Sequence, residues 1–429
     1  MWRGATGKLE NWKNSTNRKP LLLVGTRTVG KTWLLREFGR VNYKNTVYVS
    51  FNGNSGWRHI FEAGHDALRI IRDLAAFTKV EISPKNTLII LDDIQWCPAV
   101  LLALKAFYKT APQYHIAAAG NFLEIMCAEE LKVAENSLHT ITIYPMTFME
   151  FLNAADDSGL CAKAMKSRDW NKIAALHEKL MEFLNEYFFV GGMPAAVKKF
   201  LEAGKDGTDT RREHEMILAA NYADFSQRAG DKTLSARAEA IWNSIPQQLL
   251  TQNRRFLYSR VRAGSRGRDF EAALEWLKNA RMVHVLNRVK APRAPLENMA
   301  EKHIFKLYLP DIGLMCAQCG LDWRHGDIIG SGTAEQFVFQ ELIANDHENR
   351  VFYWNGNKNY GEIEFLLETG KSVVPIKVRL NESRRGLEGI KFYKTKFRPE
   401  NMVHLTLGQM LKHDTDPQLP LYMIGLSDE

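Results

Sequence analysis

The chain has 429 residues, of which 45% are hydrophobic and 25% charged, with a formal net charge of +8. These proportions exclude a low-complexity or disordered polypeptide, and the length allows two or three domains with ample core. No apolar run approaches a membrane span, Met1-Trp-Arg-Gly lacks the apolar segment of a signal peptide, and five scattered cysteines (97, 127, 161, 316 and 319) do not form a disulfide framework, so a cytoplasmic location without membrane contact is expected.

Residues 1–19 are polar and basic and read as a short helix or arm. From 20 to about 150, strand-like runs (Leu21–Val24, Thr46–Phe51, Thr87–Leu91, His115–Ala119 and His139–Ile143) alternate with helical stretches, which predicts βα units and a parallel sheet. The first run leads into Gly25-Thr-Arg-Thr-Val-Gly30-Lys31-Thr32, a complete G-x-x-x-x-G-K-[ST] phosphate loop, and a helix-prone run from Trp33 to Phe38 leads out of it. Glycines let successive backbone N–H groups curl around a polyphosphate at a helix N-terminus, where the dipole favours negative charge. ATP binding is therefore assigned to Gly25, Thr26, Arg27, Thr28, Val29, Gly30, Lys31, Thr32 and Trp33. Thr26, Val29 and Gly30 act mainly as backbone donors, Lys31 reaches the β/γ-phosphates and the Thr32 hydroxyl ligates Mg²⁺. The competing reading is a structural Gly-rich turn.

The run Thr87–Leu91 ends in Asp92-Asp93, where a buried parallel strand presents its carboxylates at the sheet edge. Asp92 is expected to hold the Mg²⁺ shell and Asp93 to orient or deprotonate the attacking water. A solvated Asp-Asp turn is the alternative. His115–Ala119 leads through Gly120 to Asn121, a candidate hydrogen-bonder to the γ-phosphate or the water, set against an ordinary strand-ending turn.

Residues 150–225 read as helical, broken by Gly191-Gly192-Met193-Pro194, and residues 226–290 as helices closed by a strand at Met282–Val289. Ala291–Pro295 reads as a loop. Further strands are expected at Val351–Trp354, Glu362–Leu367, Ser372–Val378 and Pro420–Ile424, and an amphipathic helix from Glu335. Arg254, Arg255, Arg260, Arg262, Arg266 and Arg268 fall close together with Phe256, Tyr258 and Phe270 interleaved. Arginines grip phosphates and stack on bases, so DNA contact is one reading; an interdomain or protein-partner contact and a plain solvated surface are the others. Cys316 and Cys319 lack the further ligands that a structural zinc site needs.

Several long phrases carry a resemblance. They are LLLVGTRTVGKTWLLREFG, LIILDDIQ, Tyr144-Pro-Met-Thr-Phe-Met-Glu-Phe151, Tyr187-Phe-Phe-Val-Gly-Gly-Met-Pro194, Asn221-Tyr-Ala-Asp-Phe225, Ala240-Ile-Trp-Asn-Ser-Ile-Pro246 and Phe305-Lys-Leu-Tyr-Leu-Pro-Asp-Ile-Gly313. Across nearly its whole length the chain resembles the prokaryotic AAA-type ATP-binding proteins that carry a C-terminal domain of unknown function. The resemblance implies an α/β fold: a P-loop NTPase parallel sheet at 1–150, a helical lid at 151–225, a winged-helix-like region and linker at 226–324, and a restriction-endonuclease-like α/β domain of the PD-(D/E)xK type at 325–429. It places a degenerate nuclease site at Glu335, Glu364, Lys377 and Arg379, where Lys377 puts a positive charge in the position of a metal-binding carboxylate, so no nuclease activity is expected.

Departures from the family pattern shape the functional expectation. Asp93 stands where Glu is usual and is shorter by one methylene, and water positioning is sensitive to such displacements. Asn136 and Ser137 stand where a Gly-Arg or Gly-Lys pair is usual, so a basic residue able to touch phosphate is missing there. The expectation is a slow Mg²⁺-dependent ATPase that couples nucleotide state to its C-terminal domains. The alternatives are a non-hydrolysing DNA- or protein-binding adaptor with structural ATP and, less favoured, an ATP-gated nuclease.

Overall fold

The computed structural model describes residues 1–53, 56–252, 254–326, 328–347, 350–356, 361–380, 384–411 and 416–426. The chain divides into two units, Trp2–Tyr144 with Asn279–Met282, and Pro145–Lys278 with Val283–Glu429. Among the described residues no helix is long and apolar enough to cross a membrane.

In the first unit, strands β1 (Leu21–Val24), β2 (Asn45–Ser50), β3 (Thr87–Asp92), β4 (His115–Ala119) and β5 (His139–Thr142) form an all-parallel sheet in the order β2-β3-β4-β1-β5. The central strands β1, β3 and β4 are buried along their entire length, which is why they read as unbroken apolar runs rather than alternating ones. The helix Lys31–Asn42 lays Leu34, Leu35 and Phe38 onto the core. The helix Ala67–Thr78 starts at Asp66, whose carboxylate accepts the Arg69 N–H at 2.6 Å. Because β4 is inserted between β1 and β3, with Leu23 opposite Ala119 and Leu91 opposite Ala118, the carboxyl ends of all three strands emerge along one edge. The N-terminal arm is the helix Ala5–Asn14, anchored by buried Leu9 and Trp12.

The second unit begins with helices, including Phe148–Ala155, His177–Val190, Pro194–Glu202, Thr208–Arg228 and Lys232–Leu249, then Gly267–Asn279. It continues into a mixed sheet built from β6 (His284–Val289), β7 (Ala300–Tyr308), β8 (Val351–Asn355), β9 (Glu362–Thr369), β10 (Ser372–Val378), β11 (Val403–Thr406) and β12 (Gln418–Pro420), in the order β12-β11-β10-β9-β8-β6-β7. The antiparallel pair β6–β7 continues the C-terminal sheet through a parallel pairing of Arg288 with Tyr353.

Two expectations are corrected. Pro420–Ile424 is not a strand: β12 ends at Pro420, and Leu421–Leu426 winds into a 3₁₀ helix with Leu421, Tyr422, Met423 and Ile424 buried. A short buried apolar run has the same pattern in either conformation. The helix that carries Glu335 runs from Ser331 to Leu342 and is buried on every side from Gly332 onward, not amphipathic. Its polar residues face buried backbone and side-chain groups rather than water. Gln336 exchanges two hydrogen bonds with Leu309 (3.0 and 2.8 Å), Gln340 accepts the Ile312 N–H (2.8 Å) and donates to Tyr187 Oη (2.9 Å), and Glu341 accepts the Phe148 N–H (2.8 Å). The phrase around Gly191 docks nearby. Gly191 has φ +69°, and an added Cβ would stand 2.2 Å from Asp311 Oδ1, so glycine is required for Asp311 to accept the Gly192 N–H at 2.6 Å.

Candidate functional site: a phosphate loop and a separate buried ion cluster

β1 delivers the chain into the turn Gly25–Gly30. Gly25 has φ +145°, and a Cβ there would lie 2.1 Å from the Ile143 carbonyl oxygen, so only glycine lets the loop leave the sheet at this point. Thr28 and Gly30 are also left-handed, and Val29 is buried. Arg3 pins the loop from behind, donating to the carbonyls of Val29 (2.9 Å) and Tyr144 (2.8 Å). Arg27, Thr28 and Trp33 are exposed, and the Trp33 ring, 47% accessible, faces away from the core.

Lys31 folds back over the loop. Its ammonium donates to the carbonyls of Gly25 and Thr26, both at 2.9 Å, and to Asn121 Oδ1 at 2.7 Å. Burial pushes its pKa down to about 7; Asp92 opposes that shift and Arg281 reinforces it. Asp92, at the end of β3, accepts hydrogen bonds from Tyr48 Oη (3.0 Å), the Asp93 N–H (3.0 Å) and the Thr32 hydroxyl. Burial raises its pKa, and the Thr32 hydrogen bond works in the opposite direction. Asp93 is left-handed, with φ +56°, which turns its carboxylate toward Ser50 Oγ (3.3 Å) and Gln95 Nε2 (3.1 Å). Gln95 Oε1 in turn accepts the Asn121 N–H at 3.1 Å, so one side chain bridges Asp93 and Asn121.

The edge of the sheet thus gathers Gly25, Lys31, Thr32, Asp92, Asp93 and Asn121. The contributors that were not foreseen include Gln95, Tyr48, Ser50, Arg3 and Arg281. Gln95 stands within the quoted run LIILDDIQ, and its position two residues beyond Asp93 was the only available signal. Tyr48 and Arg281 have no local signal at all. A hydroxyl and a carboxylate held against each other, Thr32 with Asp92, are hard oxygen donors of the kind Mg²⁺ prefers, and the loop with its lysine presents the donors that a polyphosphate accepts. These residues fit ATP and Mg²⁺.

The second constellation lies within the C-terminal sheet. Glu335 is paired with Arg254 Nη1 at 2.5 Å and Lys306 Nζ at 2.9 Å, and accepts the Tyr308 hydroxyl at 3.3 Å. Lys306 also bonds Glu362, which accepts from Asn355 Nδ2 at 3.0 Å. Lys377 Nζ donates to Glu364 Oε1 at 2.6 Å and to the Glu362 carbonyl at 2.8 Å. Burial would lower the Lys306 pKa, but Glu335 and Glu362 outweigh it and hold the group well above its ordinary value. Three carboxylates and three cations therefore neutralise one another in the interior. Among the described residues no group of three or more His, Cys, Asp or Glu is placed to hold a metal ion. Arg379 follows β10, and its backbone N–H donates to Leu405 at 2.7 Å. Two further basic residues, Arg384 and Arg385, have side chains that lie outside the described residues.

The six clustered arginines are divided by the fold. Arg254 is spent on Glu335, and Arg255 is partly buried, whereas Arg260, Arg262, Arg266 and Arg268 are exposed.

Residues 17–152 match the AAA domain. Residues 331–423 match a domain of unknown function (DUF4143), and residues 181–325 a second one (DUF8612). Together with the parallel sheet these matches support an AAA-type ATP-binding P-loop NTPase family with a C-terminal domain of unknown function. No curated protein matches the chain. Among solved structures it is similar to Aquifex aeolicus DnaA bound to AMPPCP (14% identity, 65% of this chain and 88% of that one, TM-score 0.29). It is similar also to Aeropyrum pernix ORC1 in complex with DNA (15%, 73% and 90%, 0.25). A third similarity is to the Pif1 helicase of Candida albicans (17%, 37% and 43%, 0.25), of whose length this chain spans less than half. At such TM-scores these likenesses add nothing to the fold read from the strand order.

Proposed function

We propose that the chain binds ATP·Mg²⁺ on Gly25–Thr32 and hydrolyses it slowly to ADP and phosphate. The observation that carries this reading is the convergence of Lys31, Asp92 and Asn121 at one sheet edge, through Lys31–Asn121 at 2.7 Å and the Thr32–Asp92 hydrogen bond. The backbone donors of Thr26, Val29 and Gly30 cradle the phosphates, and Lys31 exchanges its loop carbonyls for phosphate oxygens. Thr32 and Asp92 would hold Mg²⁺, which would supply charge neutralisation at the phosphates. Asp93 takes or orients the water proton, with Gln95 and Ser50 fixing its carboxylate and Asn121 positioned by Gln95. The short side chain of Asp93 and its engagement by two neighbours support a slow rate. Nucleotide state is read out by the C-terminal domains, whose neutralised ion cluster supports a structural or binding role rather than metal-dependent cleavage.

The test is phosphate release by the purified protein beside Lys31→Ala and Asp93→Asn. Release lowered at least tenfold in both variants is expected; a wild-type rate equal to that of Lys31→Ala overturns the ATPase reading. A second reading, a nucleic-acid-binding adaptor with structural ATP, is favoured by the four exposed arginines between 260 and 268.

A further inference from the structure

The basic residue expected near position 137 is absent, and Ser137, which stands there, is buried. A cation nevertheless reaches the phosphate-loop unit from a remote part of the sequence. Arg281 lies in the segment Asn279–Met282, which belongs to the same unit as the parallel sheet although it follows the helix Gly267–Asn279. Its guanidinium Nη2 and Nε both converge on a single oxygen, Oε1 of Glu124, at 2.7 and 3.2 Å. Glu124 lies three residues beyond Asn121, the residue whose Oδ1 holds the Lys31 ammonium. Both members of the pair belong to the unit that holds Lys31, and their charges act on its ammonium.

The pair is built to be exchanged. Two donors on one oxygen forgo the two parallel bonds of a full guanidinium–carboxylate fork. Both side chains are 27% accessible, so water screens their attraction. Arg281 is held at φ +56°, a left-handed conformation that a non-glycine residue adopts only at a cost and that recurs at ligand clamps and switches. A phosphate group carries more charge than a carboxylate and offers several oxygens, so it competes effectively for such an arginine.

We propose that Arg281 is a phosphate-binding residue kept in reserve by Glu124, and that the terminal phosphate of a nucleoside triphosphate draws it off that carboxylate. This rests on the ATP site described above and adds to it a means of telling triphosphate from diphosphate. A phosphate one position shorter leaves Arg281 on Glu124.

Calorimetric titration of the full chain with Mg²⁺ and either ATPγS or ADP tests it, using Arg281→Gln, Glu124→Gln and Lys31→Ala, with circular dichroism melts to verify folding. Arg281→Gln is expected to weaken ATPγS at least tenfold while changing ADP less than twofold. Glu124→Gln, which frees the arginine, is expected to tighten ATPγS several-fold with ADP unchanged, and it decides the matter should Arg281→Gln fail to fold. Equal effects on both nucleotides, or no effect of either substitution, overturn the proposal while leaving the site intact. Wild-type affinity no better than that of Lys31→Ala overturns the site and the proposal together.

Discussion

Lys31 is the residue on which the nucleotide site turns. Lys31 is 6% accessible as a residue, and its ammonium is satisfied by two carbonyls and an amide oxygen, none of them charged, so burial brings its pKa down to about 7. Polyphosphate placed beside it would stabilise the charged form and raise that value. Above pH 7, binding must therefore take up a proton, and nucleotide affinity is expected to fall by up to about tenfold per pH unit as the free protein loses it. Calorimetry between pH 7 and 9 in two buffers of different ionisation heat should show uptake approaching one proton. A pH-independent affinity, or the same uptake in Lys31→Met, would refute this role. Stability of the free protein runs the other way. Unfolded, the lysine keeps its proton to near its ordinary value of 10.5, whereas the folded group releases it near 7, so this residue's penalty is full below pH 7 and is relieved as pH rises toward 10.5.

At the scale of elements, the helix Ser331–Leu342 is stabilised by polar side chains that sequence periodicity places on a solvent face. Gln336, Gln340 and Glu341 satisfy backbone groups of Leu309, Ile312 and Phe148 instead. Glu341 contributes at a cost, since burial raises its pKa to about 8, with Glu150 adding to the shift and the Phe148 N–H opposing it. Its folded pKa lies above the unfolded value, so its contribution is intact below about pH 4.5 and is lost as pH rises through 8. Glu341→Gln keeps an acceptor for Phe148 without the titration. It is expected to match wild type in urea unfolding at pH 4.5 and to be more stable at pH 8.5 by on the order of a few kcal/mol; identical pH profiles would count against a buried neutral Glu341. The segment 260–268 is an element of the opposite kind, with Arg260, Arg262, Arg266 and Arg268 turned to solvent. If it grips a nucleic-acid backbone, replacing all four by alanine lowers affinity for any sequence and reduces the slope of log K against log salt by about 0.9 per lost phosphate contact. An unchanged slope would remove this surface from the adaptor reading.

Across the whole molecule, what could be read in advance was whatever is contiguous in sequence. The phosphate loop, the Asp92-Asp93 strand end and β4 before Asn121 are local strings, and the parallel order of β1 to β5 follows once each is placed. Groups whose meaning depends on a distant partner were not legible. Lys306, Glu362 and Arg254 are single charges in unrelated strings, and only the sheet order β10-β9-β8-β6-β7 brings them to Glu335 and Lys377. Lys377, taken alone, suggested a lost metal site; the fold adds that Lys306, fully buried at 0% accessibility, is the shared cation between Glu335 and Glu362. Removing one partner from such a set exposes the desolvation penalty of the others, typically about 3–5 kcal/mol, whereas removing charges in balance costs far less. Lys306→Met should therefore lower unfolding stability by that amount, and Lys306→Met combined with Glu362→Gln should recover much of it. Chemical denaturation of the two variants decides the point: a Lys306→Met cost below about 1 kcal/mol, or no recovery in the double variant, would mean that the cluster is not the charge-balanced core of this sheet.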